Sequence, residues 1–598
     1  MHRGFLRSVV VFLVVAAGFL ALRSTVGLVW NDSPQTAENL YDFNQVVGDD
    51  ESKTPLCRSS GASGLRWGSP HLIKTIFARA FSCIEFGGYR PLSAALSFVA
   101  VSIFSNPASK DNLGKIWMIL VALLFGLLAL LLFNIARRFV QTDLTAYIIL
   151  LLFFFSPPMI SGSWIMFSGG IQVTVPLLIC LGIWLYFKTA EAGRFRLLWQ
   201  IGLFCSFIVS PWVREFTGIV PILIILLEFQ KHRRLTHIIT VAVFGFLHAL
   251  FPTAIMSIFI PNLPLSMVFK LGYLSEQLHA SLESSSIIWQ ILHLKWWVVK
   301  VLMLTVPPLL LLISGIALVS TLRKEMETVT NNISNILFLS VWFLLSFLPF
   351  LKVFTVHVHL LYSLMPALIL IGLLTETFWI KIFKKAFSGR FSWKSTILIP
   401  LFFIALLDQM LNAYGAYITV SAMYGGIQHL ADWFQHNIPR GSIIIANALH
   451  AEDIRYYSEN HIMPYWSVGI GVPAERTLPD PRALSKFLSN NYESKQIYML
   501  NIDQDFAPHK YHYHAHQYVI NKNVKLASLG QIHSVLRRFP YLDPLKIFYP
   551  KRNVLFLGPP DLENDVYLGH ERSGKPFLNE ISVNYYLYRV TDPRVTLY

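Results

Sequence analysis

The chain has 598 residues, of which 54% are hydrophobic and only 14% are charged, and its net charge is +15. Soluble domains seldom combine so much apolar content with so few charges, so the composition excludes an ordinary soluble enzyme and indicates a polytopic α-helical membrane protein. The positive charge does not indicate a nucleic-acid partner, because Lys and Arg stand mostly in short loops between apolar runs, where they set membrane topology.

The first apolar run, 9–22, follows two arginines and resembles a signal peptide. Hydrophobic residues continue to Trp30, however, and no polar mature start follows them. This continuation favours an uncleaved first transmembrane helix.

A long loop, 31–115, separates the first helix from the next long apolar run. Residues 72–84 repeat apolar side chains at helical spacing, and 91–104 are apolar but too short to span, so both stretches predict helices at the membrane interface. Cys57 and Cys83 both lie in this loop. They are either free thiols or, if the loop is extracytoplasmic, partners in a disulfide.

Further apolar runs predict a series of membrane spans, which together with the first helix makes about eleven transmembrane helices. These runs are 116–134, 146–160, 170–187, 200–210, 217–229, 238–260, 298–322, 336–351, 360–374 and 397–411. We therefore assign 1–412 to a transmembrane domain that includes the loop 31–115.

Clusters of basic residues set one orientation for these spans. They lie at 137–138, 188–196, 231–234, 323–324 and 381–394. All of them are cytoplasmic when the N-terminus is inside, which leaves the loop 31–115 and the end of the chain extracytoplasmic. The chain is then predicted to be a multi-pass protein of the inner (plasma) membrane with a periplasmic C-terminal part.

The composition changes after the last span, and residues 413–598 are predicted to form an extracytoplasmic α/β domain. Helical composition occurs at 480–490. Short β-rich runs lie at 442–446, 496–501, 553–557 and 585–590. A histidine-rich run at 509–516 fits a surface strand better than a metal site, because no matching Cys or carboxylate cluster accompanies it.

Carboxylates in the first loop are candidate catalytic bases. Asp32 follows the first helix directly and, at the membrane interface, can accept the proton of an attacking hydroxyl group. The sequence Asn-Asp-Ser-Pro at 31–34 is also a good helix start, with Asp32 as an N-cap. Asp49 and Asp50 are a second candidate base, although Gly-Asp-Asp-Glu-Ser is equally an ordinary solvated loop.

Charged residues also stand between short spans on the same predicted membrane face. Arg214 and Glu215 separate two short apolar runs, and charges so close to spans are either functional or paired with each other. His357 and His359 lie at the start of another run. They can bind a phosphate, or they are simply solvated interface histidines.

Several short motifs, taken in order, resemble the glycosyltransferase C superfamily of polyprenyl-phosphate-sugar-dependent membrane enzymes. The likeness is greatest to the membrane domain of the TPR-containing protein O-mannosyltransferases. The matching stretches are Val-Trp-Asn-Asp-Ser-Pro at 29–34, Tyr-Arg-Pro-Leu-Ser at 89–93, Ser-Pro at 156–157 followed by Trp164, Arg-Glu-Phe-Thr-Gly at 214–218, and His-Leu-Leu-Tyr at 359–362. The family has Val-Phe-Asp-Asp-His-Pro, Tyr-Arg-Pro-Leu-Thr, His-Pro, Lys-Glu-x-Gly and Arg-Tyr-Leu-Tyr at these places.

The resemblance covers roughly residues 1–375 and has three departures. Asn31 replaces the first Asp of the family's pair, His359 replaces its Arg, and no TPR repeat follows the membrane domain. The last departure removes the main reason to expect a protein as the acceptor.

The resemblance implies a hexosyl or pentosyl transferase that moves a sugar from a polyprenyl phosphate to a lipid, glycan or protein acceptor. The transfer would take place at the outer face of the inner membrane. Asp32 would be the base, with Asp49 or Asp50 as alternatives. No cofactor is required, and a divalent metal is compatible with the motifs without being demanded by them.

The resemblance implies that Arg90, Arg214 and His359 neutralise the leaving phosphate, and that Glu215 orients Arg214 or contacts the sugar. His357, beside His359, is a further candidate ligand of the donor phosphate or sugar. The rival interpretations are a flippase or transporter of lipid-linked saccharides and a polymerase of such saccharides. A transporter is expected to carry charges at the membrane midplane and repeat symmetry, whereas here the conspicuous charges gather at one face.

Overall fold

The computed structural model describes the backbone of residues 2–23, 73–74, 76, 92, 95, 110–156, 159, 167–191, 195–213, 215–231, 243, 308–324, 332–347, 357–388, 396–407, 409–410, 433–447, 461–465, 486–488, 490–491, 493–503, 525–540 and 578–592. These residues divide into a helical part, up to residue 410, and a mostly β-sheet part from residue 433 onward. The isolated positions in the first loop are helical, and they fall in the two stretches for which interfacial helices are predicted.

The helical part consists of long, mostly apolar helices. They are α1 (His2–Arg23), α2 (Lys110–Phe139), α3 (Asp143–Phe154), α4 (Phe167–Ala190), α5 (Arg196–Val213), α6 (Ile219–Lys231), α7 (Pro308–Lys324), α8 (Ile333–Phe347), α9 (His357–Phe387) and α10 (Thr396–Leu407), with a 3₁₀ helix at Glu215–Gly218 between α5 and α6.

Three stretches among the described helices are long and apolar enough to cross a membrane. They are Ile119–Phe139 in α2, Val173–Ala190 in α4 and Leu361–Ala386 in α9. Further apolar helical stretches have 10–17 residues. Every predicted span overlaps a described helix except 238–260, which lies outside the described residues apart from position 243. The helical class is confirmed, while about eleven crossings stays a prediction.

Glycine lets α1 approach α2 closely. A Cβ atom added at Gly126 would lie 2.8 Å from the Phe12 ring and 2.9 Å from the Phe12 carbonyl oxygen, so no larger residue fits there without a shift of α1. Beside this crossing the rings of Phe19 and Phe125 stack with centroids 4.8 Å apart. Small residues at helix crossings are how apolar helices pack in a membrane, where water supplies no driving force.

Glycine also allows close contact at two other helix crossings. A Cβ atom at Gly182 in α4 would lie 2.5 Å from Cγ1 of Val220 in α6. A Cβ atom at Gly372 in α9 would lie 2.9 Å from Cδ1 of Ile149 in α3. The crossings of α4 with α6 and of α9 with α3 therefore depend on glycine, and they set how the helix ends are placed.

Ion pairs gather at one end of the helix bundle. Asp143, at the start of α3, pairs with Arg7 of α1 and with Arg137 of α2, where Nε lies 2.5 Å from a carboxylate oxygen. Glu191, just after α4, pairs with Arg138 of α2 and with Lys188, whose Nζ lies 2.8 Å away. We call this end the basic end.

Contacts near the basic end show in which direction four further helices run. Phe338 of α8 stacks on Phe139 at the end of α2, with centroids 5.7 Å apart. Glu376 of α9 hydrogen-bonds Thr142, at the turn between α2 and α3. Trp199 of α5 meets Trp184 of α4 edge to face at 5.4 Å. Therefore α3, α5 and α8 run away from the basic end, and α9 runs toward it.

The part from residue 433 contains a five-stranded mixed sheet. Its strands are β1 (Ile443–Asn447), β2 (His461–Tyr465), β3 (Ile497–Asp503), β4 (Lys525–Pro540) and β5 (Leu578–Asp592). Their order is β2-β1-β3-β5-β4, with β1 parallel to both β2 and β3, and β5 antiparallel to β3 and β4. A short helix at 433–437 precedes β1 across a turn in which Gly441 has a positive φ of 84°.

The sheet agrees with part of the predicted strand pattern. β1, β3 and β5 overlap the predicted runs 442–446, 496–501 and 585–590, and helical residues occur within 480–490. β2 and β4 were not predicted from the sequence. The run 553–557 and the histidine-rich run 509–516 lie outside the described residues, and the division of the chain at residue 413 stays a prediction.

Candidate functional site

Three of the sequence motifs lie at helix ends that share one end of the bundle. The Ser-Pro motif follows α3, the 3₁₀ helix follows α5, and His357 begins α9. Because α3 and α5 run away from the basic end and α9 runs toward it, these turns all lie at the opposite end. We call this end, defined by Ser156, Glu215–Gly218 and His357, the motif end.

The turn at Ser156 is fixed by hydrogen bonds inside the bundle. Ser156 is fully buried, and its hydroxyl donates to the Phe153 carbonyl over 2.7 Å and accepts from the Met159 N–H over 3.3 Å. The amide Nε2 of Gln409, beyond α10, donates to the Phe155 carbonyl over 3.0 Å. These bonds satisfy the end of α3 and hold the chain after α10 at the motif end.

The 3₁₀ helix Glu215–Gly218 packs against the ends of α4, α5 and α6. Thr217 within it is fully buried. The crossing of Gly182 and Val220 brings α6 directly against α4 just beyond this turn. Glu215 therefore begins a turn whose backbone position is set by tight packing, which is the preorganisation that a functional site requires.

A nine-residue stretch of α9 is buried on every side. All residues of 361–369 are buried, including Tyr362 at 1% exposure, so this helix is central to the bundle at the motif end. The unpaired N–H groups of a helix start carry a partial positive charge. The start of α9 at His357 is therefore a place where an anionic group is electrostatically favoured.

Two buried polar side chains of α8 have no hydrogen-bond partner among the described residues. Trp342 and Ser346 are both 0% exposed, and no described group accepts from the indole N–H or bonds the hydroxyl. They lie one helical turn apart and so share one face of α8. Ser346 is next to the end of α8, which places this pair at the motif end.

Among the described side chains, no three His, Cys, Asp or Glu residues lie together in a way that could hold a metal ion. Cys180 is buried and contacts the sulfur of Met365 over 3.7 Å, while Cys205 is exposed, and both are free thiols.

No protein-family model matches the chain, and no curated protein matches it. Among solved structures it is similar to ArnT from Cupriavidus metallidurans in the apo state, with 13% identity and a TM-score of 0.47. It is similar also to that protein bound to undecaprenyl phosphate, with 12% identity and a TM-score of 0.46. Each likeness covers 87% of this chain and 96% of the other. At this level, the likeness assigns no activity or ligand to this chain.

The candidate bases and two of the candidate phosphate ligands lie outside the described residues. These are Asp32, Asp49, Asp50, Arg90 and Arg214. For Glu215, His357 and His359 the backbone is described and the side chain is not. The structure thus brings the backbone of the last three to the motif end, and the roles of all eight residues stay predictions.

Trp342 and Ser346 were missed by the sequence interpretation. Both lie within the predicted span 336–351, where a tryptophan and a serine are ordinary residues of an apolar helix. No local pattern reveals them, because what distinguishes them is the absence of a partner in three dimensions.

Proposed function

We propose that this protein is an integral-membrane glycosyltransferase that moves a hexosyl or pentosyl group from a polyprenyl-phosphate donor to a lipid, glycan or protein acceptor. The observation that carries the proposal is the common location of Ser156, Glu215 and His357 at the motif end. These positions come from three motifs that are far apart in sequence and that occur in the order of the glycosyltransferase C pattern.

The charge distribution supports an outward-facing site. Positive residues near membrane spans favour the cytoplasmic side, and the basic end contains Arg7, Arg137, Arg138 and Lys188. The motif end then faces outward from the inner membrane, with the loop 31–115 beside it. A lipid-linked sugar embedded in the outer leaflet would present its phosphate to this end.

In the proposed reaction, the oxygen of the acceptor hydroxyl forms a bond to the anomeric carbon of the sugar. The bond between that carbon and the phosphate oxygen breaks, and polyprenyl phosphate leaves with its electron pair. Asp32 takes the proton of the hydroxyl as it attacks, with Asp49 or Asp50 as alternative bases. Attack opposite to the leaving group inverts the configuration of the sugar.

Positive charge is needed where the leaving phosphate develops its second negative charge. We assign this role to Arg90 and Arg214, whose guanidinium groups can donate paired hydrogen bonds, and to His357 and His359. Glu215, next to Arg214, orients that guanidinium or contacts the sugar. The start of α9 adds the positive end of a helix of 31 residues on the same side.

The sheet after residue 433 is proposed to help hold the acceptor. β1 lies between β2 and β3 and is parallel to both, so the chain goes from β1 to β2 on one side and then from β2 to β3 on the other side of β1. In open α/β sheets, ligands bind outside the carboxyl ends of the strands at such a switch point. Asn447 ends β1 and Asp503 ends β3, which places an amide and a carboxyl residue at that edge.

The decisive experiment uses the full-length protein in lipid nanodiscs with polyprenyl-phosphate sugars. The proposal predicts that the sugar is released from the lipid, by transfer or by slow hydrolysis, and that free polyprenyl phosphate accumulates. Movement of intact donor across a bilayer without sugar release would instead indicate a flippase. Consumption only of polyprenyl-diphosphate oligosaccharides would indicate a polymerase or ligase, and either result contradicts the proposal.

A further inference from the structure

Several serine and threonine hydroxyls of the described helices bond within their own helix. Ser206 donates to the Leu203 carbonyl over 2.7 Å, and Thr375 donates to the Ile371 carbonyl over 2.8 Å. Thr189 donates to the Tyr186 carbonyl over 2.7 Å. Such bonds to the preceding turn are the usual way for these residues to sit in an apolar helix.

Ser346 departs from this behaviour. It is fully buried in α8, yet within the part of the chain that the structure describes its hydroxyl has no hydrogen-bond partner, in the preceding turn or elsewhere. One turn earlier, the indole N–H of fully buried Trp342 likewise has no acceptor among the described residues. An unpaired buried polar group is costly, so two on one helix face indicate an acceptor that joins them in the functional state.

The chemistry of the pair restricts what this acceptor is. An indole N–H only donates, so a cation would leave it unsatisfied, and a lipid chain would leave both groups unsatisfied. A ligand must therefore offer oxygen atoms that accept two hydrogen bonds, as a phosphate does. The start of α9 at His357, at the same end of the bundle, adds the positive end of a helix dipole.

The direction of α8 places the pair at the motif end. Phe338 of α8 lies against the end of α2 near the basic end, and Ser346 follows it by about 12 Å at 1.5 Å per residue.

We propose that Trp342 and Ser346 donate hydrogen bonds to a phosphate oxygen of the polyprenyl-phosphate donor and thereby hold its headgroup at the motif end. This inference rests on the proposed function and extends it to two residues of α8. No bond is made or broken at this site, and the two side chains bind the lipid phosphate before and after sugar transfer.

The test measures binding of polyprenyl phosphate, without its sugar, to the full-length protein in nanodiscs. Trp342→Phe and Ser346→Ala remove one donor each and keep most of the side-chain volume. Because each loses one hydrogen bond to a charged acceptor, each substitution is expected to weaken binding by about 10- to 100-fold. The matched controls Trp184→Phe and Ser206→Ala change the same residue types elsewhere and should bind like the wild type.

A spectroscopic readout separates ligand contact from a general effect on folding. The ¹H–¹⁵N indole signal that disappears in Trp342→Phe is that of Trp342, and it should move downfield when polyprenyl phosphate binds. Inorganic phosphate at the same concentration should leave this signal unchanged. An equal response to inorganic phosphate would contradict the assignment to a lipid headgroup.

Unchanged affinity in both α8 variants, together with lower thermal stability, would mean that a buried water joins the two donors, and the inference would be wrong. Wild-type protein that binds no polyprenyl phosphate would contradict the proposed function itself. Binding by the wild type that is insensitive to both substitutions would contradict only the role of Trp342 and Ser346.

Discussion

The carboxylate of Glu376 in α9 accepts a hydrogen bond from the backbone N–H of Gln141 over 2.6 Å, which fastens α9 to the turn between α2 and α3. The same carboxylate accepts from the Thr142 N–H over 2.7 Å and from the Thr142 hydroxyl over 2.8 Å. Glu376 is only 3% exposed. A buried carboxylate with three donors is well satisfied, so it stabilises this junction at the basic end.

Glu376→Gln is expected to lower the free energy of unfolding by about 1–3 kcal/mol, because an amide has one acceptor oxygen where the carboxylate has two, and one buried N–H loses its partner. Glu376→Ala should cost more. The measurement is thermal or denaturant unfolding in detergent. Lys385→Gln, an exposed substitution on the same helix, should stay within about 0.5 kcal/mol. Equal stability of Glu376→Gln and Lys385→Gln would show that the hydrogen bonds of Glu376 contribute nothing to the free energy of unfolding.

The crossing of α4 and α6 offers a second stability test. A Cβ atom at Gly182 would lie 2.5 Å from Cγ1 of Val220, so Gly182→Ala should destabilise by about 1–3 kcal/mol through overpacking. Because α6 follows the turn at Glu215, sugar transfer should fall as well. Adding Val220→Ala removes the clashing atom and should restore both properties.

Gly315 in α7 is the matched control for Gly182, because a Cβ atom there would have no atom within 4 Å. Gly315→Ala should leave stability unchanged or raise it by up to about 1 kcal/mol, since alanine favours a helix. If Gly182→Ala behaves like Gly315→Ala, α4 and α6 are not in the tight contact described.

Hydropathy predicted the helices but not what joins them. The apolar runs of α2 and α4 are visible in the sequence because each residue contributes to the signal independently of its neighbours in space. The pairing of Arg7 with Asp143 depends on how α1 packs against α2 and α3, so no local sequence pattern predicts it. The unpaired state of Ser346 is likewise a property of the packed bundle.

The strands show the same limit. β1 and β3 were predicted because β1 is a run of isoleucines and β3 begins with four apolar residues. β2, His-Ile-Met-Pro-Tyr at 461–465, contains a proline, which is tolerated because β2 is at the edge of the sheet. Edge position is set by the pairing of distant segments, and the sequence of β2 alone argues against a strand.

The orientation of the bundle can be tested by labelling single cysteines from outside the cell membrane. All four native cysteines must first be replaced, because Cys57 and Cys83 lie in the loop 31–115 that is predicted to be extracytoplasmic and would themselves react with the label. A cysteine at Glu493, exposed in the sheet part, should react with a membrane-impermeant maleimide in spheroplasts. A cysteine at exposed Lys385 should react only after permeabilisation. The reverse pattern would place the motif end in the cytoplasm and overturn the proposed site.

The role of the sheet part is tested by separating acceptor transfer from donor hydrolysis. Substitution of Asn447 and Asp503 by alanine, at the carboxyl ends of β1 and β3, should lower transfer to the natural acceptor while donor hydrolysis continues. Removal of residues 413–598 should have the same selectivity with a larger effect. Equal loss of both activities in folded protein would contradict an acceptor role.

Asp32 offers the sharpest test of the reaction itself, because a catalytic base affects the rate of transfer and a helix N-cap affects stability. A general base contributes about 10²–10⁴ in rate, whereas an N-cap contributes about 0.5–2 kcal/mol of stability. Asp32→Asn keeps the size and the capping ability of the side chain but cannot accept a proton. If Asp32 is the base, this variant should insert, keep its thermal stability and bind polyprenyl phosphate like the wild type, while transfer falls by about 10²–10⁴.

Asp49→Asn and Asp50→Asn are the matched controls, since they remove a carboxylate from the same loop in the same way. Each should reduce transfer much less than Asp32→Asn. Retained turnover in Asp32→Asn with loss in either control would move the base further along the loop without changing the class of reaction. Full activity in all three would leave the loop 31–115 without a base among its candidate carboxylates, and a glycosyltransferase mechanism that starts from that loop would then be wrong.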